Sequence, residues 1–182
     1  MAAQGTVASF DPGLCNLAVA VIREKEILMW NKVDFGKRDG RAISTIVLQH
    51  TTPFAIEVIE KYNPSIVVVE EQHLLNRLAF AVEIGIMTAA LTLKVPVVFA
   101  MQPLRKFKIG GLEINEKAQN LRKNKALNSR QRSSALKLLS IETVNELFGE
   151  DETWKSILRT EKKFDDYADS LLQALQARAD FQ

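Results

Sequence analysis

Cysteine is almost missing from this chain: Cys15 is the only one in 182 residues. A lone cysteine excludes an internal disulfide and a Cys-rich zinc site, and it suits a reducing compartment. Long apolar runs are missing too. The best candidate for a membrane span, Leu78 to Leu93, is interrupted by Glu83 and two threonines. Met1-Ala2-Ala3-Gln4-Gly5 has neither the basic nor the apolar part of a secretory signal. A soluble, intracellular protein with no membrane partner is therefore expected. There is no internal repeat, no low-complexity tract, no linker, no Walker loop and no dinucleotide fingerprint. One domain over residues 1–182 fits that size and continuity. Histidine is scarce: His50 and His73 are isolated and read as structural or surface residues, although His73, beside Gln72, could meet substrate.

What the chain does have is carboxylate at particular places. Ser9-Phe10-Asp11-Pro12-Gly13 and Val68-Val69-Glu70-Glu71-Gln72 each end an apolar run with an acid. Asp165-Asp166-Tyr167-Ala168-Asp169 opens an apparent helix with acids three residues apart, on one face. Taken singly, each has an ordinary explanation. Acidic residues complement a helix N-terminus, and an Asp before Pro-Gly caps a turn. Gathered together, they would repel one another unless a cation sat between them. Hard divalent ions prefer such oxygen ligands, together with water and substrate phosphate.

The net charge of +2 conceals an asymmetry. Ten basic residues lie between Arg105 and Lys137 against only Glu113 and Glu116, so that segment carries +8 and the rest of the chain −6. Such a segment is either a solvated helix face or a surface for a polyanion. Its Arg, Lys, Asn, Gln and Ser content is that of phosphate-contacting surfaces. Arg130 and Arg132, ahead of a helix expected to begin near Ser133, lead the candidates for DNA contact. Lys106 and Lys108 come next, and Arg122, Lys123 and Lys125 lie between.

Periodicity predicts strands over residues 6–11, 14–22 and 26–34, joined by short links as an antiparallel meander. A polar loop, 36–41, leads to helical spacing from Ile43 and Ile46 to Ile59, with Pro53 starting a new helix or kinking one. Strands at 66–69 and 95–100 flank a helix at 74–94. A loop is expected over 102–115, then helix over 116–148 in two pieces with Asn128-Ser129 as a cap. The last helix runs from Phe164 to about Phe181. The order βββαβαβα, with right-handed crossovers, makes a mixed five-stranded α/β sheet with helices on both faces. In it, Asp11 and Glu70 can lie side by side, with Asp166 and Asp169 delivered by the last helix. Trp30 and Trp154 read as packing residues. Phe80, Ile84, Met87 and Leu91 form an apolar stripe on a helix that is apolar nearly all round.

This arrangement resembles the ribonuclease H-like nucleases, and within them the RuvC-type Holliday junction resolvases. The nearest likeness is to the poxvirus-type branch of large DNA viruses. Phe164-Asp165-Asp166-Tyr167-Ala168-Asp169-Ser170 after Lys162-Lys163 is similar to that branch's apolar-Asp-Asp-x-Ala-Asp-Ser run. Glu70-Glu71-Gln72 resembles its Glu-Arg-Gln with Glu71 in place of Arg, and Phe10-Asp11-Pro12-Gly13 its apolar-Asp-x-Gly turn. Residues 104–128 exceed the corresponding stretch of the compact poxvirus enzymes.

The resemblance implies that Asp11, Glu70, Asp166 and Asp169 are catalytic and bind two divalent metals, Mg²⁺ or alternatively Mn²⁺. Glu70 is favoured over Glu71 because Gln72 then keeps its spacing. It further implies a homodimer, with the apolar 74–94 helix as candidate interface, and paired symmetric nicks in four-way DNA junctions. A cytoplasmic viral replication site would follow from the viral likeness. Two other readings stand beside it: a ribonuclease acting on RNA–DNA hybrids, and a nucleic-acid-binding adaptor without catalysis.

Overall fold

Alternation along two neighbouring strands decides the architecture. In β1 (Thr6–Asp11), Ala8 and Phe10 enter one core and Val7 another on the opposite face. In β4 (Ile66–Glu70), Val67 and Val69 join the first core, while Ile66 and Val68 join the second. Successive strand side chains point to opposite faces, so a central strand apolar on both must be covered on both. The structure, a computed structural model, describes residues 5–13, 17–24, 26–35, 45, 47–161 and 163–181. Cys15, Ile43, Ile46, Lys162 and the expected 36–41 loop lie outside the described residues.

The sheet has the order β3-β2-β1-β4-β5. β2 (Leu17–Arg23) pairs antiparallel with both β1 and β3 (Glu26–Val33), as the short links require. β4 and β5 (Val97–Met101) run parallel to β1 on its other side. One face is covered by α1 (Thr52–Tyr62), entered through a π-helical turn at Val47–Thr51, and by α2 (Arg77–Thr92). Pro53 sits in the first turn of α1, so it starts a new helix there. Asn63 ends α1 in the left-handed region at φ 43°. Asn76 caps α2, which therefore begins at Arg77 and not at Leu74.

The other face carries α4 (Ser129–Phe148), α5 (Glu152–Thr160) and α6 (Asp165–Phe181). The capping box of Asn128 with Gln131 fixes the start of α4 at Ser129, as the expected Asn128-Ser129 cap requires and four residues before Ser133. α5 was not expected; Asp151, whose carboxylate accepts from the Thr153 and Trp154 N–H groups, is the signal that marks it. The expected 102–115 loop is instead a 3₁₀ turn, Arg105–Gly110, followed by α3 (Gly111–Lys123). Gly110-Gly111 reads as a loop signal, but Gly111, at φ +87°, makes the corner between two helical pieces.

Trp154 of α5 is fully buried and stacks on Trp30 of β3 at 5.1 Å and 17°. This contact seats α5 on the sheet. Trp154→Ala is expected to cost about 3–5 kcal/mol, read as a lower denaturation midpoint with an unchanged slope.

Candidate active site

The same alternation aims the acids. Val7, Ser9 and Asp11 face one side of β1, and Ile66, Val68 and Glu70 face that side of β4. It is the side on which Ala168, Leu171 and Leu172 of α6 pack. Phe10 stands opposite Val69 in the parallel ladder, so Asp11 and Glu70 come next to one another as the two strands end. Neighbouring strands lie ~4.8 Å apart. On α6, Asp166, Asp169 and Gln173 are spaced i, i+3, i+7 and share one face. Glu71 is exposed, and its N–H continues the β4–β5 ladder by donating to the Met101 carbonyl at 2.9 Å. Glu70 is thus the acid turned toward α6.

The first turn of α6 is fixed from β3. The Trp30 indole N–H donates to the Tyr167 carbonyl at 2.9 Å. Lys32 donates to the Lys163 carbonyl at 3.0 Å, pairs with Glu161 at 3.4 Å and lies 5.0 Å over the Tyr167 ring. On the outer side, Lys137 of α4 pairs with Asp165. Behind Glu70, the buried Glu83 of α2 accepts the Gln72 N–H at 2.8 Å and so holds the segment leaving β4.

At the centre stands a lysine. The Lys106 ammonium lies 3.2 Å from Glu70 Oε2 and 2.8 Å from Asp169 Oδ1, with only 5% of the residue exposed. Expected among the surface bases that contact DNA, Lys106 is instead inside the acidic cluster. The unexpected 3₁₀ turn carries it there, and a loop reading of 102–115 could not indicate that. Burial alone would push its ammonium down. Asp169, Glu70 and Asp11 outweigh this and hold it above the usual lysine range. The same surroundings act on the acids with the opposite sign. Asp11 is pushed well up, first by burial and then by Glu70 and Asp169, against the pull of Lys106. Asp166 is raised to about 6 by burial and by Asp165, with Lys137 and Lys32 opposing.

Glu70 has one more partner. Gln173, buried on α6, donates from its amide nitrogen to Glu70 Oε2 at 2.8 Å, and its amide oxygen accepts from the Ser9 hydroxyl at 3.1 Å. Gln173 is not among the residues that the acidic motifs single out. A polar residue inside the Leu171-Leu172-Gln173-Ala174 run, four residues after Asp169, is the signal that could have found it.

Among the described residues, no three acidic, histidine or cysteine side chains close on one point as a metal cage. Lys106 is the cation that holds the cluster together. The donor set still fits a hard divalent ion. It consists of carboxylate oxygens and carries an excess of negative charge over Lys106. Asp166 Oδ2 is buried with no hydrogen-bond partner among the described residues, an orphaned oxygen of the kind a hard cation satisfies, while buried Asp169 Oδ1 is met by the Lys106 ammonium at 2.8 Å.

Two clefts flank the cluster. One, of about 350 Å³, is lined by Glu70, Lys106 and Asp169 together with Phe107, Arg132, Leu136 and Lys137. The second, of about 430 Å³, is lined by Glu70, Gln72, His73 and Gln102. Arg122 and Pro103 border both. Arg122, Lys123 and Lys125 are exposed at the end of α3 and just beyond it, Arg130 in the first turn of α4 and Lys108 on the 3₁₀ turn. Arg132 is turned inward, donating to the Asn124 and Leu127 carbonyls, so it braces the α3–α4 connection. His73 Nδ1 accepts the Leu75 N–H at 3.2 Å, and His50 stacks on Phe35.

No family model and no curated protein sequence matches this chain. Solved structures do. The RuvC structure from Thermus thermophilus is 20% identical, with 97% of each chain covered and a TM-score of 0.59. The same organism's RuvC in complex with Holliday junction substrate matches at 20% identity, with 94% of this chain and 91% of that one covered and a TM-score of 0.56. The yeast mitochondrial Holliday junction resolvase Ydc2 is 16% identical, with 98% of this chain and 82% of that one covered and a TM-score of 0.64. The fold is therefore the ribonuclease H-like fold of RuvC-type resolvases.

Proposed function

We propose that the protein is a divalent-cation-dependent endonuclease that resolves four-way DNA junctions. The observation that carries this reading is the convergence of Asp11, Glu70, Asp166 and Asp169, from two strands and one helix, beside a basic cleft on the RuvC-type fold. Those four acids would hold one or two Mg²⁺ ions, with Mn²⁺ as a substitute. Bound there, the metal supplies an acidified water and charge stabilisation for the departing oxygen.

The chain's own residues set the stage for an in-line attack. The rigid ends of β1 and β4 fix two carboxylates, and α6 brings the others against them. Lys106 lowers the repulsion among them and adds a positive charge beside the reacting phosphate. Arg122, between the two clefts, grips the strand, while Lys108, Lys123, Lys125 and Arg130 contact neighbouring phosphates. Each such contact releases counterions, so binding weakens steeply with salt. The whole chain acts as one nuclease domain.

Paired, symmetric nicks require two such sites about a two-fold axis. The stripe foreseen on α2 divides in two. Met87 packs against the core, whereas Ile84 and Leu91 are 46% and 62% exposed. Beside Ile84 an apolar groove runs over Val47, Phe80, Ala81 and Gly85. This face is assigned to a second copy of the chain. Ile84→Glu with Leu91→Glu is expected to convert a dimer to a monomer by light scattering, with helix content unchanged. A wild-type monomer would remove the paired-nick model.

Substrate choice is tested by binding, with chemistry switched off. Asp166→Asn protein in Ca²⁺ should bind a four-way junction at least about 10-fold more tightly, some 1.4 kcal/mol, than linear duplex or an RNA–DNA hybrid. Preference for the hybrid would move the protein to the ribonuclease class. Equal binding to all three would remove junction selectivity.

A further inference from the structure

We infer that Gln173, oriented by Ser9, is a positioning residue that sets which oxygen of Glu70 faces the cation. The inference rests on the metal-dependent reading above and deepens it. Ser9 and Gln173 are buried side chains 164 positions apart, yet they form one chain of hydrogen bonds ending on Glu70. Ser9 lies two residues before Asp11 on β1, Gln173 four after Asp169 on α6, and Glu70 ends β4. Every element that brings an acid to the cluster thus gives one member to this chain.

The direction of the bonds carries the argument. A glutamine amide has one oxygen and one nitrogen, and its end-for-end orientation is set by its partners. The Ser9 hydroxyl donates to the amide oxygen at 3.1 Å, which turns the amide N–H toward Glu70 Oε2 at 2.8 Å. The Lys106 ammonium meets that same oxygen at 3.2 Å. Glu70 Oε2 therefore has two donors. Glu70 Oε1 takes no hydrogen bond among the described residues. Two donors on one oxygen and none on the other fix the carboxylate's rotation and assign Oε1 to the cation. A leucine here would match its apolar neighbours in sequence but leave Glu70 Oε2, among the described residues, with Lys106 as its one donor. Hydrogen-bond partners behind a metal ligand commonly change metal affinity by about 10–100-fold when removed.

The test is calorimetric titration of the metal-free protein with Mn²⁺ alone, beside thermal melts in chelator. Gln173→Leu is expected to weaken Mn²⁺ binding by about 10-fold or more, with the cation-free melting temperature lowered only modestly as the buried Ser9 hydroxyl loses its acceptor. Ser9→Ala should weaken it in the same direction by a smaller factor. If Ser9 acts through Gln173, the double variant binds Mn²⁺ no more weakly than Gln173→Leu. With junction DNA, the Mg²⁺ concentration for half-maximal cleavage should rise while KM for the junction stays put. Unchanged Mn²⁺ affinity in Gln173→Leu, with a lowered melting temperature, would make Gln173 a packing residue and overturn the inference. If Gln173→Leu fails to fold, Ser9→Ala decides alone: unchanged Mn²⁺ affinity overturns it. Wild-type protein that neither binds Mn²⁺ nor cuts DNA would instead overturn the reading on which the inference stands.

Discussion

Asp166→Asn should abolish cleavage and at the same time make the cation-free protein more stable at neutral pH. Loss of one carboxylate from a cation site removes several kcal/mol of transition-state stabilisation, on the order of 10³-fold or more in rate. The gain in stability comes from the surroundings of the same side chain. Burial and Asp165 raise the Asp166 carboxyl to about 6 from its ordinary 3.8, and Asp166 Oδ2 has no hydrogen-bond partner among the described residues. The native state therefore binds more protons than the unfolded state between those two values. Stability must fall as pH rises through that window, and the whole penalty is present above it. Asp11, also raised, adds a penalty of the same sign. Asparagine carries no charge to desolvate. In chelator, the melting temperature of wild type should fall relative to the variant between pH 4 and 7, and millimolar Mg²⁺ should close the gap. A variant less stable than wild type at pH 7 in chelator would contradict this account of the cluster.

Lys106→Met should cost about as much stability as Trp154→Ala, but with a loss that, unlike the other, a divalent cation partly reverses. The methionine keeps the side chain's length but leaves Glu70 and Asp169 without the ammonium now 3.2 and 2.8 Å away. Breaking a buried ion pair by removing one partner costs about 3–5 kcal/mol, because the other charge stays buried and uncompensated. Lysine raised above its usual range contributes its stability at all pH below the ordinary lysine value, losing it only in strong alkali. The loss should therefore show fully at pH 7. A cation bound at 100 times its dissociation constant restores about 2.7 kcal/mol. Denaturation midpoints with and without Mg²⁺ check this. Equal losses in both conditions would mean that Lys106 and the cation do not share a site.

The pattern of local sequence carried the fold well where one rule acted alone. The continuous apolar run Ile66–Val69 and the βββαβαβα order sufficed for a sheet covered on both faces, and β1 and β4 each end on an acid, Asp11 or Glu70, that the pleat then turns toward α6. The Asp166/Asp169 pair was legible for the same reason, because helical spacing puts both on one face. Lys106 was not legible. Its place depends on a 3₁₀ turn hidden behind Gly110-Gly111, and a lysine in a basic stretch gives no sign of burial until its carboxylate partners are in position. Gln173 was missed because its role comes from partners 103 and 164 residues away. The Asn128-Ser129 cap was legible and starts α4 where the residues indicate; what the expected start near Ser133 missed is that Arg130 and Arg132 already lie in the helix, with Arg132 donating back to the α3–α4 connection.

The central claim is that these four acids form one cation-dependent site for cutting branched DNA. Its most direct test is cleavage of an end-labelled, mobile four-way junction with Mg²⁺, beside linear duplex, an RNA–DNA hybrid and the Asp166→Asn protein. The account predicts symmetric nicks in two opposing strands of the junction alone, absent in chelator and in the variant. Cleavage that persists in the variant or in chelator, or no cleavage of the junction by wild type with Mg²⁺, would contradict it.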